Sequence, residues 1–306
     1  MPEQIKPKKV KFGLALSGGG ARGFAHIGLL KVLDREHIKP SFLSGTSMGA
    51  IIAAAYASGM RGKEIQEEAL KFTHTKNLVK MVHLTPPFRG LINQTMVKEY
   101  LTRLIPAGML FSELKIPLSV CATDLMQSRG IALNQGSVLS AVMASYSIPG
   151  VFPPVDIPPM RLVDGGVVNN LPVDLAYQLG SQKVIAVDVQ LNPHTDMPWQ
   201  KNENNQRWPL PVPEYFMDLL WSEVIMASRI TEINLSAYPP DLYIRMPLGK
   251  EINMLLSFPR AQEIIDIGEE TAERYLPKIR ELVGLKPEEG GQFLRPEKPV
   301  IDNISV

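Results

Sequence analysis

Twice within the first sixty residues, a short apolar run ends in a glycine-bearing turn and passes straight into a helical pattern. Lys11 to Leu16 (KFGLAL) has the composition of a buried strand and stops at Ser17-Gly18-Gly19-Gly20. From Arg22 to Glu36, Phe24, Ile27, Leu30 and Leu33 then recur every three or four residues, the spacing of one buried helical stripe. Pro40 to Ser44 repeats the strand, and Gly45-Thr46-Ser47-Met48-Gly49 repeats the turn. The small residues and isoleucines of Ala50 to Ser58 repeat the helix, with Gly59 placed to cap it. A strand–helix–strand order brings the second strand back parallel to the first. The pattern therefore predicts an α/β fold with a mainly parallel central sheet.

The remainder of the chain extends this alternation. Residues 63–105 read as mostly helical, broken at Thr85-Pro86-Pro87. Strands are expected at Ile116 to Thr123, Gly130 to Leu133, Lys183 to Val189 and Asp241 to Arg245. Arg161-Leu162-Val163-Asp164 reads as a strand end running into Gly165-Gly166. Helices are expected at Ser137 to Ser145, Val173 to Leu179, 214–235 and 259–283. Asn192 to Pro213, polar and proline-rich with Trp199 and Trp208, reads as a long loop. With no internal repeat, the expectation is a flexible tail over 1–9, a single domain over 10–285, and an extended or disordered tail over 286–306.

Charge and cysteine content exclude several functions. Lys and Arg number 32 against 31 Asp and Glu, for a formal net charge of +1, so nothing attracts the chain as a whole to a polyanion such as nucleic acid. The single cysteine, Cys121, lies in an apolar run and reads as a buried thiol in a reducing compartment. The basic N-terminus precedes only five apolar residues, Phe12 to Leu16, too few for a secretory signal. No run approaches the ~18 apolar residues of a membrane span. A cytoplasmic location is expected, with transient peripheral membrane contact left open. Lys71 to Leu91 and Tyr215 to Ile230 are the two segments with lipid-facing character, though helices of this kind more often cover a core or a site.

Gly18-Gly19-Gly20-Ala21-Arg22-Gly23 fits the G-x-G-x-x-G dinucleotide pattern. That pattern also requires an acid at the end of the second strand, and the chain offers Ser44-Gly45-Thr46-Ser47 there. A P-loop lacks its Lys-Ser/Thr pair. What remains is a set of backbone N–H groups at a helix start, able to hold a phosphate or the oxyanion of a tetrahedral intermediate.

Gly45-Thr46-Ser47-Met48-Gly49 is G-x-S-x-G between a short strand and a small-residue helix, the context of a nucleophile elbow. Ser47 is either a nucleophile or simply the cap of the helix. A serine hydroxyl needs a base to take its proton. Of the five histidines, only His194 follows a strand and completes a Ser–Asp–His order with Ser47 and Asp164, yet it stands at the head of a polar loop where a histidine is simply solvated. Asp164-Gly165-Gly166 offers another answer, an acid at a strand end whose neighbours carry no side chains. Burial would raise its pKa toward that of a useful base. Asp-Gly is equally a common turn.

In this order and spacing the three clusters resemble the patatin-like phospholipase family. The likeness extends to the Gly23 to Leu33 helix, to Cys121-Ala122-Thr123-Asp124, and to the block from Ala144 to Pro154 (ASYSIPGVFPP), covering about residues 10–190. The chain's brevity resembles the small bacterial members. The resemblance implies a three-layer α/β/α patatin-like fold and a Ser47–Asp164 dyad without a catalytic histidine. It matches Gly18, Gly19 and Gly20, with Arg22 adjoining, to the oxyanion loop, and Gly45, Gly49, Gly165 and Gly166 to motif glycines. It implies hydrolysis of phospholipid or lysophospholipid acyl esters with neither metal nor cofactor. Two other readings stand beside it: a Ser47–Asp164–His194 triad esterase, and a non-catalytic lipid-binding regulator on the same fold.

Overall fold

The computed structural model describes residues 10–73, 94–192 and 214–285. His194, most of the Lys71 to Leu91 segment and both terminal tails lie outside the described residues. β1 (Phe12–Leu16) passes through a 3-10 turn, Gly20–Phe24, into α1 (Ala25–Arg35). β2 (Phe42–Thr46) leads into α2 (Met48–Ser58), which ends on Gly59 in the left-handed conformation at φ 113°. Then come α3 (Gly62–Thr73), α4 (Gln94–Leu104), β3 (Leu118–Asp124), β4 (Arg129–Leu133), α5 (Val138–Ser145), β5 (Val155–Ile157) and β6 (Met160–Asp164). The described chain closes with α6 (Val173–Gln178), β7 (Lys183–Asp188), α7 (Glu214–Ala237), β8 (Leu242–Arg245) and α8 (Ala261–Leu282). Of these, β5 was not expected. It is three residues set between Pro153-Pro154 and Pro158-Pro159, and such flanks read as loop until a partner strand supplies the ladder.

β8, β7, β1, β2 and β3 lie side by side and parallel, β4 and β6 join β3 antiparallel, and β5 extends β6. Side-chain alternation sends the two faces of each central strand into different cores. Leu14 and Leu16 of β1, with Ile185 and Val187 of β7, pack into the larger core with α1, α2, α4, α5 and α8. Ala15, Val184 and Ala186 face the smaller core with Leu171, Val173 and Ala176, against which Leu235 of α7 packs. Strands covered on both faces read as continuous apolar runs, which is why KFGLAL and KVIAVD carry so little polarity. α1 and α8 cross backbone to backbone, since a Cβ on Gly28 would run into the Ile265 carbonyl and one on Gly268 into the Ala25 carbonyl. Among the described residues, no helix is long and apolar enough to cross a membrane.

The register of the sheet brings two strand ends together. Thr46 pairs with Cys121 and Asp164 pairs with Ala122, while β4 occupies the other edge of β3 from Val120 to Asp124. β2 and β6 therefore lie end to end along a single edge of β3, approaching from opposite directions. Their C-terminal residues meet there.

Candidate active site

Ser47 leaves β2 with φ 52° and ψ −124°, a backbone conformation that a residue with a Cβ adopts at a cost of about 1–3 kcal/mol. Ser47 is the single residue between β2 and α2, so the backbone has to fold sharply there. Gly45 and Gly49 clear the space, since a Cβ on Gly45 would stand 2.7 Å from the Gly49 carbonyl carbon and one on Gly49 would strike the Leu16 carbonyl. The strained residue is tethered from the sheet side. Its N–H donates to Ser145 Oγ (2.8 Å), and the Ser145 hydroxyl donates to the Cys121 carbonyl (2.6 Å). Ser47 occupies the N-cap position, yet its side chain makes no capping hydrogen bond. The hydroxyl is therefore not consumed by the helix, as the capping alternative would have it.

Asp164 arrives at the same place from β6. Its N–H donates to the Ser147 carbonyl (2.9 Å), and its carbonyl accepts from Thr123 Oγ1 (2.9 Å). Oδ1 accepts the Gly166 N–H (2.7 Å), so the acid does form the Asp-Gly turn as well as ending the strand. Gly165 lies against β3, where a Cβ would strike the Cys121 carbonyl. Asp164 is only 4% exposed. Burial pushes its pKa from 3.8 up to about 7, against the opposing pull of hydrogen bonds from the Gly166 N–H and the Ser47 side chain. A carboxyl group titrating there is a far better proton acceptor at neutral pH than an ordinary aspartate.

The glycine turn closes over this pair. A Cβ on Gly18 would lie 3.0 Å from Ser47 Cβ. The turn's N–H groups divide sharply by use. Gly18 donates to the Asn170 carbonyl (3.0 Å), Ala21 to Met254 (2.8 Å) and Arg22 to Gly19 (3.2 Å). Among the described residues, no acceptor meets the N–H of Gly19, Gly20 or Met48. The Arg22 guanidinium, buried at 1% exposure, turns away from Ser47. It donates to the carbonyls of Val189, Gln190, Leu248, Gly249 and Ile252. Of the expected set of Gly18, Gly19, Gly20 and Arg22, the donors of Gly18 and Arg22 are engaged within the protein, and the N–H groups of Gly19 and Gly20 meet no acceptor among the described residues. His26 donates from Nε2 to the Ser17 carbonyl (2.9 Å), and burial holds its pKa down to about 4, so the ring is neutral and supports the turn from beneath.

The family model for patatin-like phospholipase matches residues 14–177, a span that holds the glycine turn, Ser47 and Asp164. The chain belongs to the patatin-like phospholipase family. Neuropathy target esterase sws of Drosophila melanogaster is 30% identical over 283 residues, covering 87% of this chain and 20% of that protein. Patatin-like phospholipase domain-containing protein 6 of Homo sapiens is 32% identical over 188 residues, covering 60% of this chain and 14% of that protein. The chain therefore spans a fifth or less of the length of these relatives. Among solved structures, VipD from Legionella pneumophila aligns over 89% of this chain and 67% of its own, with 13% identity and a TM-score of 0.49.

In this patatin-like site, three residues that were not among the expected site residues lie beside the pair. Ser145 belongs to the ASYSIPGVFPP block, but nothing in its sequence context shows that its hydroxyl holds the elbow. Glu223 lies on α7, eight residues before Thr231, whose Oγ1 reaches Gln190 Oε1 (3.3 Å) on the packed face of that helix. Burial, and then repulsion from the Asp164 carboxylate, raise the Glu223 pKa to about 7. The only clue in the sequence is an acid inside the apolar stretch from Tyr215 to Ile230. The third is Asn170, immediately beyond the Asp164 turn. Cys121 is buried, with burial pushing its thiol pKa upward, and it supplies its carbonyl rather than its sulfur to the site.

Proposed function

We propose that this chain is a serine hydrolase of lipid acyl esters in which Ser47 is the nucleophile and Asp164 the base. The reading is carried by one observation: a serine hydroxyl on a strained elbow beside a buried carboxyl group with its pKa near 7. The Asp164 carboxylate takes the Ser47 proton as Oγ attacks the ester carbonyl carbon. The carbonyl oxygen becomes an oxyanion facing the N–H groups of Gly19 and Gly20. When the tetrahedral intermediate collapses, the ester C–O bond breaks and the alcohol departs with the proton held by Asp164, leaving an acyl-serine. Asp164 then takes a proton from water, the resulting hydroxide attacks the acyl group, and the fatty acid leaves as the proton returns to Ser47.

Family membership supports phospholipids or lysophospholipids as the substrate class. A fluorophosphonate probe tests the nucleophile, with mass spectrometry expected to find the adduct on the peptide that contains Ser47. Hydrolysis of a p-nitrophenyl acyl ester tests turnover. Ser47→Ala is expected to abolish it, whereas His194→Ala should leave it within a few-fold of wild type. Substantial hydrolysis by Ser47→Ala would overturn the assignment, and loss of orders of magnitude in His194→Ala would replace the dyad with a triad.

A further inference from the structure

We propose that the carboxamide of Asn170 contacts the substrate, donating a hydrogen bond to the ester oxygen that becomes the oxyanion. This inference rests on the reading of Ser47 as the nucleophile. Asn170 follows Asp164 by six residues and is tied to the glycine turn through its backbone, since its carbonyl accepts the Gly18 N–H at 3.0 Å. Its side chain lies in the wedge between that turn and the Asp164 turn. A Cβ on Gly18 would collide with Asn170 Oδ1, and one on Gly166 would stand 3.1 Å from that same atom and 3.1 Å from Asp164 Oδ1. Gly18 and Gly166 thus leave room for this carboxamide from opposite sides, next to both Ser47 and Asp164.

The neighbouring asparagine shows what a structural role looks like here. Asn169 gives its carbonyl to Thr46 Oγ1 (2.8 Å) and its amide to Asp174 Oδ1 (2.7 Å). Asn170 is 9% exposed, and among the described residues neither Oδ1 nor Nδ2 has a hydrogen-bond partner. With no partner among the described residues, the carboxamide adds little to stability, so a leucine of similar size should not lower it. The group is nonetheless not sealed away, because it is absent from the set of fully inaccessible unpaired atoms, His26 Nδ1, Asp124 Oδ2, Tyr146 Oη and Asn169 Oδ1. Rotating the carboxamide by a half-turn presents Nδ2–H to the same wedge. Negative charge develops there during attack, beside the open N–H groups of Gly19 and Gly20, and a fixed amide donor favours that charge.

The test is steady-state hydrolysis of a p-nitrophenyl acyl ester by Asn170→Leu, with thermal unfolding measured in parallel. The expected result is a fall in kcat of about 10²-fold, KM within about threefold of wild type, and a Tm equal to or above wild type. A kcat within about threefold of wild type overturns the proposal, as does a loss of activity that accompanies a falling Tm. Should leucine not be accommodated, Asn170→Ser is smaller, and the same kcat, KM and Tm outcomes support or overturn the proposal. Ser47→Ala, run alongside, separates the two levels. If it stays active, the reading of the nucleophile fails; if it is dead while Asn170→Leu is fully active, only the role of Asn170 fails.

Discussion

Asp164→Asn should make this protein inactive and more stable at once, with the stability gain appearing only as pH rises. Asp164 is 4% exposed, and burial lifts its pKa from 3.8 to about 7. Between those two values the folded chain still holds a proton that the unfolded chain has released. Unfolding therefore sheds a proton in this window, and the stability of the wild type falls as pH rises through it, the reverse of the usual salt-bridged carboxylate. The interval from 3.8 to about 7, at about 1.36 kcal/mol per pH unit, corresponds to about 4 kcal/mol of stability lost by pH 8. Asparagine keeps an oxygen for the Gly166 N–H and carries no charge at any pH, so the variant escapes this loss. Urea unfolding of both proteins at pH 4.5, 6 and 8 reads the effect as a difference in stability that grows with pH at unchanged m-value. Because Glu223 titrates in the same range, it is the difference between the two proteins, rather than either curve alone, that reports Asp164. An offset between variant and wild type that is the same at pH 4.5 and pH 8 would refute the reasoning.

Replacing Ser145 with alanine leaves the Ser47 N–H and the Cys121 carbonyl unpaired in the interior, which should cost about 2–5 kcal/mol in urea unfolding and lower kcat by loosening the elbow. Arg22→Met leaves the carbonyls of Val189, Leu248 and Ile252 without a donor among the described residues, while that of Gly249 keeps the Ile252 N–H and that of Gln190 keeps Arg245. It should destabilise the fold by about 3–5 kcal/mol, and Arg22→Lys should recover little because an ammonium has three donors where the guanidinium has five. Glu223→Gln removes a carboxylate that repels Asp164, so the acid limb of the kcat/KM profile should move to lower pH by roughly 0.5–1 unit, and an unmoved limb would show that the two groups do not interact.

Much of the fold was readable because its determinants lie close together along the chain. The apolar runs of β1 and β7, the helical spacing of α1 and the glycines around Ser47 each act over a few residues, so pattern and turn chemistry suffice to place them. The short strand β5 escaped because it exists only through its pairing with β6. The resemblance sets Arg22 beside the oxyanion loop, but a guanidinium reaches several ångströms, and its acceptors lie on loops more than 160 residues away in the chain. Asn170 carries no local signature and Glu223 only that of an acid within an apolar stretch, since what distinguishes them is which neighbours they have or lack.

The sequence by itself determined an α/β architecture, a serine on a sharp elbow and an acid at a strand end. Only the tertiary structure decided that β2 and β6 share one edge of β3, which sets Ser47 against Asp164. It also decided that Asp164 is buried deeply enough to titrate near 7, and that among the described residues the N–H groups of Gly19 and Gly20 stay open while that of Gly18 is taken. The physical reason is the same in each case. Strand and turn preferences come from local sterics, whereas desolvation and hydrogen-bond satisfaction depend on every group the folded chain brings alongside.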